Sequence, residues 1–257
     1  MTIRVDRDSA GIVTVLLDRP EKRNAFTLDM YRQFGDAFSG LDADDSVRCI
    51  VVRGAGGAFC AGSDIGRFED DRSDGEQAME YAQLTLDLTD KLKFSRHPTV
   101  ACIEGPCVGG GLEIAALCDI RIAARSARFG IPANRLGLTL DYRELADLVA
   151  LIGSAATLEI LLEGAIFDAQ LALQKGLITR IADDDEVATH AYDTAKRIAA
   201  AAPLVNRWHK KFVRRLQSEE PLTRQEQHEP YACFDTQDYQ LGQAAFLRKE
   251  KPVFVGR

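Results

Sequence analysis

Apolar positions in the first half of the chain form two kinds of pattern. Ile12–Leu17, Cys49–Arg53 and Thr99–Ile103 are short apolar runs that end at turn residues, which is typical of buried strands. Between the first two runs, apolar residues recur three or four positions apart over residues 28–41, which predicts an amphipathic helix. The chain therefore begins with strands that alternate with helices.

The same alternation continues and then stops. Tyr81–Phe94 has helical spacing, whereas Cys118–Ala124 and Arg128–Ile131 are short apolar runs that predict strands. The polar, acidic residues 66–79 are typical of a mobile surface loop. Beyond residue 141 the pattern is almost wholly helical.

Repeated strand–turn–helix units followed by helices predict an α/β fold. We expect a spiral of strands with helices packed outside, followed by a helical tail. The spiral, with the functional site, would occupy residues 1–200. Residues 201–257 would form a C-terminal helical region.

Composition narrows the classes of function. The chain has 257 residues, 46% of them hydrophobic, which is enough for a large core. Its net charge of −7 argues against a general nucleic-acid binder. No apolar stretch approaches the roughly 18–20 residues that span a bilayer, and the N-terminus has no apolar signal region. We therefore expect no membrane association and a cytoplasmic location.

Cysteine and histidine positions predict neither a disulfide framework nor a metal site. The six cysteines include no Cys-x-x-Cys pair, and the four histidines are scattered. A chain of this length without a secretory signal rarely depends on disulfides. We expect no metal.

The segment from Gly109 to Glu113 carries the clearest chemistry. Three glycines leave the backbone bare, so a ligand can approach its N–H groups closely. If a helix begins here, those N–H groups lack intrahelical acceptors and present the positive end of the helix dipole. Glu113 would lie about one turn in, close enough to such a ligand to move a proton.

Several motifs, in their order along the chain, resemble the enoyl-CoA hydratase/isomerase (crotonase) superfamily. Residues 57–65 and the glycine-rich segment are the central pair, and the resemblance covers essentially the whole chain. The motifs are LDRPEKRNAF (17–26), GAFCAGSDI (57–65), GGGLE (109–113), CDI (118–120), FGIP (129–132) and FLRKEKPVF (246–254).

The resemblance implies a spiral of ββα units with C-terminal helices that assemble trimers, often paired as hexamers. It also implies an acyl-CoA substrate whose thioester oxygen lies in an oxyanion hole formed by the N–H groups of Ser63 and Gly110, with Glu113 as the catalytic residue that activates or positions water. No cofactor is expected beyond the coenzyme A carried by the substrate. The implied substrate- and CoA-binding residues are Ala58, Ala61, Asp64, Ile65, Gly109, Ala133, Leu138, Phe246 and Lys249.

One position departs from the family pattern. Hydratases of this family use a second glutamate after the Phe-Gly-x-Pro motif, where this chain has Ala133. Adding water to a double bond requires one group to accept a proton and another to supply one. Asp141 and Glu144 are the nearest acids along the chain that could replace it, and Tyr142 could also donate a proton.

Hydration of trans-2-enoyl-CoA to 3-hydroxyacyl-CoA is our first hypothesis for the function. Ala133 keeps open an isomerase, decarboxylase or hydrolase of the same fold. A non-catalytic paralogue that binds CoA or RNA is a third possibility, although the acidic charge balance counts against RNA.

Overall fold

Two sheets form the centre of the molecule. The computed structural model describes residues 1–257, apart from the side chain of residue 69. Six strands lie in the order β1-β2-β3-β4-β6-β9 and three more in the order β5-β7-β8. The strands are β1 (Ile3–Arg7), β2 (Ile12–Leu17), β3 (Cys49–Gly54), β4 (Thr99–Ile103), β5 (Pro106–Val108), β6 (Ile120–Ala124), β7 (Arg128–Gly130), β8 (Phe167–Asp168) and β9 (Arg180–Ala182).

Most neighbouring strands are parallel. β1–β2 and β7–β8 are antiparallel, whereas β2–β3, β3–β4, β4–β6, β6–β9 and β5–β7 are parallel. Parallel neighbours need crossover connections, which helices supply here. This confirms the predicted α/β spiral.

Ten α-helices surround and extend the sheets. They are α1 (Leu28–Asp42), α2 (Phe68–Asp71), α3 (Gly75–Lys93), α4 (Gly110–Leu117), α5 (Tyr142–Glu163), α6 (Ala169–Gln174), α7 (Val187–Ala199), α8 (Pro203–Arg215), α9 (Arg224–His228) and α10 (Gln237–Arg248). α1 begins where its N-cap, Thr27, accepts a hydrogen bond from the Met30 amide.

The prediction of a loop over residues 66–79 is wrong in its second half. α3 begins at Gly75, because the Asp74 side chain caps it by accepting hydrogen bonds from two amides of the first turn, those of Glu76 and Gln77. The short helix α2 also lies in this segment. Acidic residues here mark a helix start rather than an irregular loop.

The prediction that the chain beyond residue 141 is almost wholly helical missed two short strands. β8 and β9 have two and three residues, and each pairs with a strand that lies more than 35 residues earlier in the sequence. Runs this short have no internal periodicity that could reveal them.

The expectation that no segment could span a membrane needs correction for α5. Its 22 residues are long and apolar enough by length and composition, and only 17% of its most apolar window is buried. At Gly153, however, φ is 76° and ψ is 165°, which interrupts the helix. Each half is then shorter than the roughly 20 residues that cross a bilayer.

The hydrophobic core lies between the main sheet and the helices through α7. Its buried members extend from Ile3 to Ala195. α8 joins this core through ion pairs from Lys210 (2.8 Å) and Arg214 (3.1 Å) to Asp119. Among the described residues, those buried after Ala195 are Pro203, Asp238 and Ala245. The C-terminal helices therefore pack mostly on the surface.

Candidate active site

Backbone hydrogen bonds tie the two glycine-containing motifs together. The Cys60 amide donates to the Pro106 carbonyl (3.0 Å), and the Val108 amide donates to the Cys60 carbonyl (3.0 Å). α4 packs so tightly on this junction that a Cβ at Gly111 would lie 2.3 Å from the Cys60 carbonyl oxygen. Segments 60–63 and 106–111 therefore form one rigid unit, although they are distant in sequence.

The amides of Ser63 and Gly110 lie close together. A Cβ placed on Gly110 would lie 3.7 Å from the Ser63 amide nitrogen. A Cβ placed on Gly62 would lie 3.4 Å from the Gly110 amide nitrogen. Glycine at these positions leaves that space open to a ligand.

Neighbouring bonds hold the Ser63 segment without using its own amide. The Phe26 amide donates to the Gly62 carbonyl (2.8 Å), and the Asp64 amide donates to the Phe26 carbonyl (2.8 Å). In the part of the chain that the structure describes, neither the Ser63 nor the Gly110 amide has a hydrogen-bond acceptor. Two fixed donors therefore remain available at one point.

α4 begins at Gly110 and carries Glu113 in its first turn. The preceding Gly109, with φ 55° and ψ −130°, takes a conformation that side chains disfavour. One Glu113 carboxylate oxygen would lie 3.7 Å from a Cβ on Gly110, so this acid borders the two amides.

Glu144 on α5 is the second acid of the site. Its side chain and that of Glu113 both line a small cavity between α3, α4 and α5. Glu144 also accepts a hydrogen bond from the Asp141 amide (2.8 Å), as part of the capping box that begins α5. The helix cap therefore orients the second acid toward the first.

The two acids have unequal proton affinities. Burial, and then the charge of Glu144 and the hydrogen bond to it, raise the pKa of Glu113 well above its usual range. Burial also raises the pKa of Glu144, but the hydrogen bonds from the Asp141 amide and from Glu113 favour its ionised form. Of the two carboxyl groups, Glu113 therefore has the stronger tendency to hold a proton.

An aromatic wall borders the amides, and the sequence did not reveal it. The Tyr31 hydroxyl lies 3.4 Å from the Ser63 hydroxyl and would lie 3.3 Å from a Cβ on Gly110. Tyr81 packs edge-on against Tyr31 (6.3 Å between centroids), and Arg72 lies over the Tyr81 ring at 4.5 Å. Tyr31 had the helical spacing of a core residue, so no signal marked it as part of a site.

Arg72 contributes a positive charge near the acids. Its charge lowers the pKa of both Glu113 and Glu144, but this effect is smaller than the opposite effect of burial. Its position depends on stacking against Phe68 (3.6 Å) and Tyr81 across the α2–α3 segment. Sequence analysis assigned this segment to a loop and did not single out Arg72.

The residues predicted around the Ser63 motif differ in their burial and in their contacts. Asp64 accepts a hydrogen bond from the Gly66 amide and pairs with Arg19 at 2.8 Å, so it holds the turn after Ser63. Hydrogen bonding by Arg19 lowers the Asp64 pKa. Ala58 is buried, Ala61 is partly buried and Ile65 is 57% exposed.

The remaining predicted residues lie outside the cavity that Glu113 and Glu144 share. Ala133 is partly buried against the core at the start of a 3₁₀ turn, and Leu138 is exposed. The Asp141 side chain caps α5 and is exposed, so of the two auxiliary candidates only Glu144 reaches Glu113. Phe246 is exposed on α10 and Lys249 follows that helix.

The structure offers no metal centre among the residues that it describes. No group of three or more His, Cys, Asp or Glu side chains there is placed to hold an ion.

Comparisons with known proteins agree with the motifs. The family model for enoyl-CoA hydratase/isomerase matches residues 7–257. A crystal structure of an enoyl-CoA hydratase/carnithine racemase from Magnetospirillum magneticum superposes with a TM-score of 0.98 at 44% identity, over 100% of this chain and 96% of that one.

Two curated relatives extend the comparison. The "Probable enoyl-CoA hydratase echA8" of Mycobacterium tuberculosis is 34% identical over 100% of this chain and 98% of its own length. The 1,2-epoxyphenylacetyl-CoA isomerase of Escherichia coli is 29% identical over 96% of each chain. The chain thus belongs to the enoyl-CoA hydratase/isomerase family of enzymes.

Proposed function

We propose that this enzyme hydrates trans-2-enoyl-CoA thioesters to 3-hydroxyacyl-CoA. The observation that carries the proposal is the position of two amides without acceptors beside two acids, Glu113 and Glu144, that line one cavity. Hydration needs these parts: donors for a developing oxyanion, a base for water and an acid for carbon. The substrate class follows from family membership.

The amides of Ser63 and Gly110 would receive the thioester oxygen. When water adds to the β-carbon, the π electrons of the double bond move onto that oxygen as an enolate. Donors that are already oriented stabilise this charge without reorganising, and the loss of one such donor costs about 3–4 kcal/mol. The helix dipole of α4 has the favourable sign for the same charge.

The acids would divide the proton transfers between them. Ionised Glu144 takes a proton from water as the oxygen–carbon bond forms, and protonated Glu113 gives its proton to the α-carbon as the enolate collapses. The proton on Glu144 then returns to Glu113, which restores the starting state. Glu144 would thereby supply the acid that the family pattern places where Ala133 lies.

The test compares Glu113→Gln, Glu144→Gln and the double variant with the unaltered enzyme on 2-enoyl-CoA substrates. Loss of the conjugated absorbance follows the reaction. We expect each single variant to lose about 10²–10⁴-fold in kcat. The double variant should lose at most about tenfold more, because the two acids act as a unit. Glu159→Gln, on the exposed side of α5, is the matched control.

Two results would reject the proposal. One is the absence of turnover by the unaltered enzyme on 2-enoyl-CoA of any chain length. The other is equal activity of the unaltered enzyme and the Glu113→Gln variant.

Isomerisation of an enoyl-CoA is the second candidate. It needs the same oxyanion donors, with a carboxylate that removes a proton from one carbon and returns one at another. The position of Glu113 and Glu144 in one cavity favours it, and one relative is named as an isomerase. Incubation of a 3-enoyl-CoA with the enzyme, followed by detection of conjugated product, distinguishes isomerisation from hydration.

We also propose that the chain assembles as a homotrimer or as a dimer of trimers through its C-terminal helices. Apolar side chains exposed there support this proposal: Val213, Leu216, Phe246 and Leu247 are each 64–82% exposed. Light scattering should give three or six times the chain mass of 28.3 kDa. A mass of one chain would reject the proposal.

A further inference from the structure

The cavity beside the two acids is very small. It holds about 30 Å³, roughly the room of one or two water molecules. Its inner wall is apolar and comes from Leu86, Ile114, Leu117 and Leu148 on three different helices. An apolar wall binds the hydrocarbon part of a substrate more favourably than it binds a polar part.

The position of this cavity relates it to the acyl chain. This step rests on the proposed function, in which the thioester oxygen lies at the Ser63 and Gly110 amides. Glu113 and Glu144 would then flank the α- and β-carbons, and both acids line the cavity. The acyl carbons beyond the β-carbon would therefore have to enter it.

Ion pairs between α3 and α5 close the cavity. Arg143 on α5 pairs with Asp87 (3.2 Å) and with Asp90, both on α3. One turn further along, Lys93 on α3 pairs with Asp147 on α5 at 2.8 Å. We name these three ion pairs, made by Arg143 and by Lys93, the α3–α5 clasp.

The clasp adjoins the cavity directly. Arg143, Asp90 and Asp147 are themselves lining residues. The two helices cannot separate to admit more carbons while these ion pairs are made. Because these side chains are partly exposed, the ion pairs are weak and can open at a small cost in free energy.

We propose that the α3–α5 clasp limits the length of the acyl group, so that the preferred substrates are short-chain acyl-CoA thioesters of about four carbons. The cavity has room for only a few atoms while the clasp is closed. A longer chain has to break the clasp before it binds. The clasp is therefore a specificity determinant and takes no part in the proton transfers.

The experiment compares crotonyl-CoA with trans-2-decenoyl-CoA. The unaltered enzyme should favour the four-carbon substrate by about tenfold or more in kcat/KM. The double variant Asp87→Asn with Asp90→Asn, and separately Lys93→Met, should each reduce that preference about tenfold. Asp183→Asn removes a comparable surface ion pair with Arg125 away from the site and should leave the preference unchanged.

Salt provides a second readout that a merely structural effect would not produce. Raising KCl from about 50 to about 500 mM screens partly exposed ion pairs. The ratio of kcat/KM for crotonyl-CoA to that for decenoyl-CoA should therefore decrease in the unaltered enzyme and change little in the double variant. The inference is overturned if decenoyl-CoA is used as well as crotonyl-CoA, or if the clasp variants lower both activities equally.

A binding experiment separates this inference from the proposed function. If neither substrate is turned over, the hydratase proposal fails, and calorimetry with butyryl-CoA and decanoyl-CoA then tests the clasp alone. The double variant should bind decanoyl-CoA about tenfold more tightly than the unaltered enzyme does, with butyryl-CoA unchanged. Equal changes for both ligands would overturn the inference.

Discussion

The two sides of the site are constructed differently. On the amide side, the backbone of Ser63 and Gly110 supplies the donors, and a ladder of main-chain hydrogen bonds holds it. On the acid side, Glu113 and Glu144 come from separate helices and meet through their side chains. Backbone donors stay in place when side chains change, whereas the acid pair depends on the packing of α4 against α5. Side-chain substitutions should therefore disturb the acid side more than the amide side, unless a new side chain enters the space between the two amides.

A methyl group between the two amides should have a large effect on activity. In Gly110→Ala the new Cβ would lie 3.3 Å from the Tyr31 hydroxyl and 3.7 Å from the Ser63 amide nitrogen, where the thioester oxygen has to fit. We expect kcat/KM to fall about 10²–10³-fold with little change in thermal stability. Steady-state kinetics and a thermal melt check this. Near-normal activity would contradict the placement of the oxygen.

Replacement of Glu113 should stabilise the protein while it abolishes activity. Because the pKa of Glu113 is raised above 4.5 in the folded state, its favourable contribution is present at acidic pH and is lost as the pH rises. Glu113→Gln removes this pH dependence and can still donate a hydrogen bond to Glu144. In urea unfolding, the free energy of unfolding of the variant should exceed that of the unaltered protein by on the order of 1 kcal/mol at pH 8. This difference should become smaller toward pH 4.5. A gain that is independent of pH would contradict the raised pKa.

Removal of the α5 cap should affect the acid side moderately. Asp141→Ala deletes the side chain that accepts a hydrogen bond from the Arg143 amide and so loosens the turn that orients Glu144. We expect about 1 kcal/mol of lost stability and a decrease in kcat of roughly tenfold or less. Asp141→Asn retains a good N-cap and should restore most of both. If Asn rescued stability but not kcat, Asp141 would have a role beyond the cap.

Restoring glutamate at position 133 should have the smallest effect on hydration. Ala133 lies outside the cavity that Glu113 and Glu144 share, so a new carboxylate there starts away from the acid pair. We expect Ala133→Glu to change kcat/KM for crotonyl-CoA by less than about threefold. A gain of tenfold or more would show that the site still lacks its second acid and would weaken the role proposed for Glu144.

Sequence analysis identified the amide side more completely than the acid side. Gly62, Gly109 and Gly110 are visible in the sequence itself. The positive φ angles of Gly62 and Gly109 disfavour any residue with a side chain, so glycine at these positions signals an unusual backbone. Glu113 lies in the same motif. The sequence could name Glu144 only as one of two nearby acids. Asp141 is the N-cap of α5 and Glu144 lies at the third helical position, but these roles depend on where α5 begins.

By itself the sequence determined the family, the alternation of strands and helices in the first half of the chain and the two glycine-containing motifs, because these depend on periodicity and on residues close in the chain. Only the tertiary structure decided that Glu144 joins Glu113, that Tyr31 and Arg72 border the site and that α3 and α5 are clasped over it. Such contacts join residues from about 30 to more than 50 positions apart. Pairing at that distance is set by how helices pack, which no local pattern records.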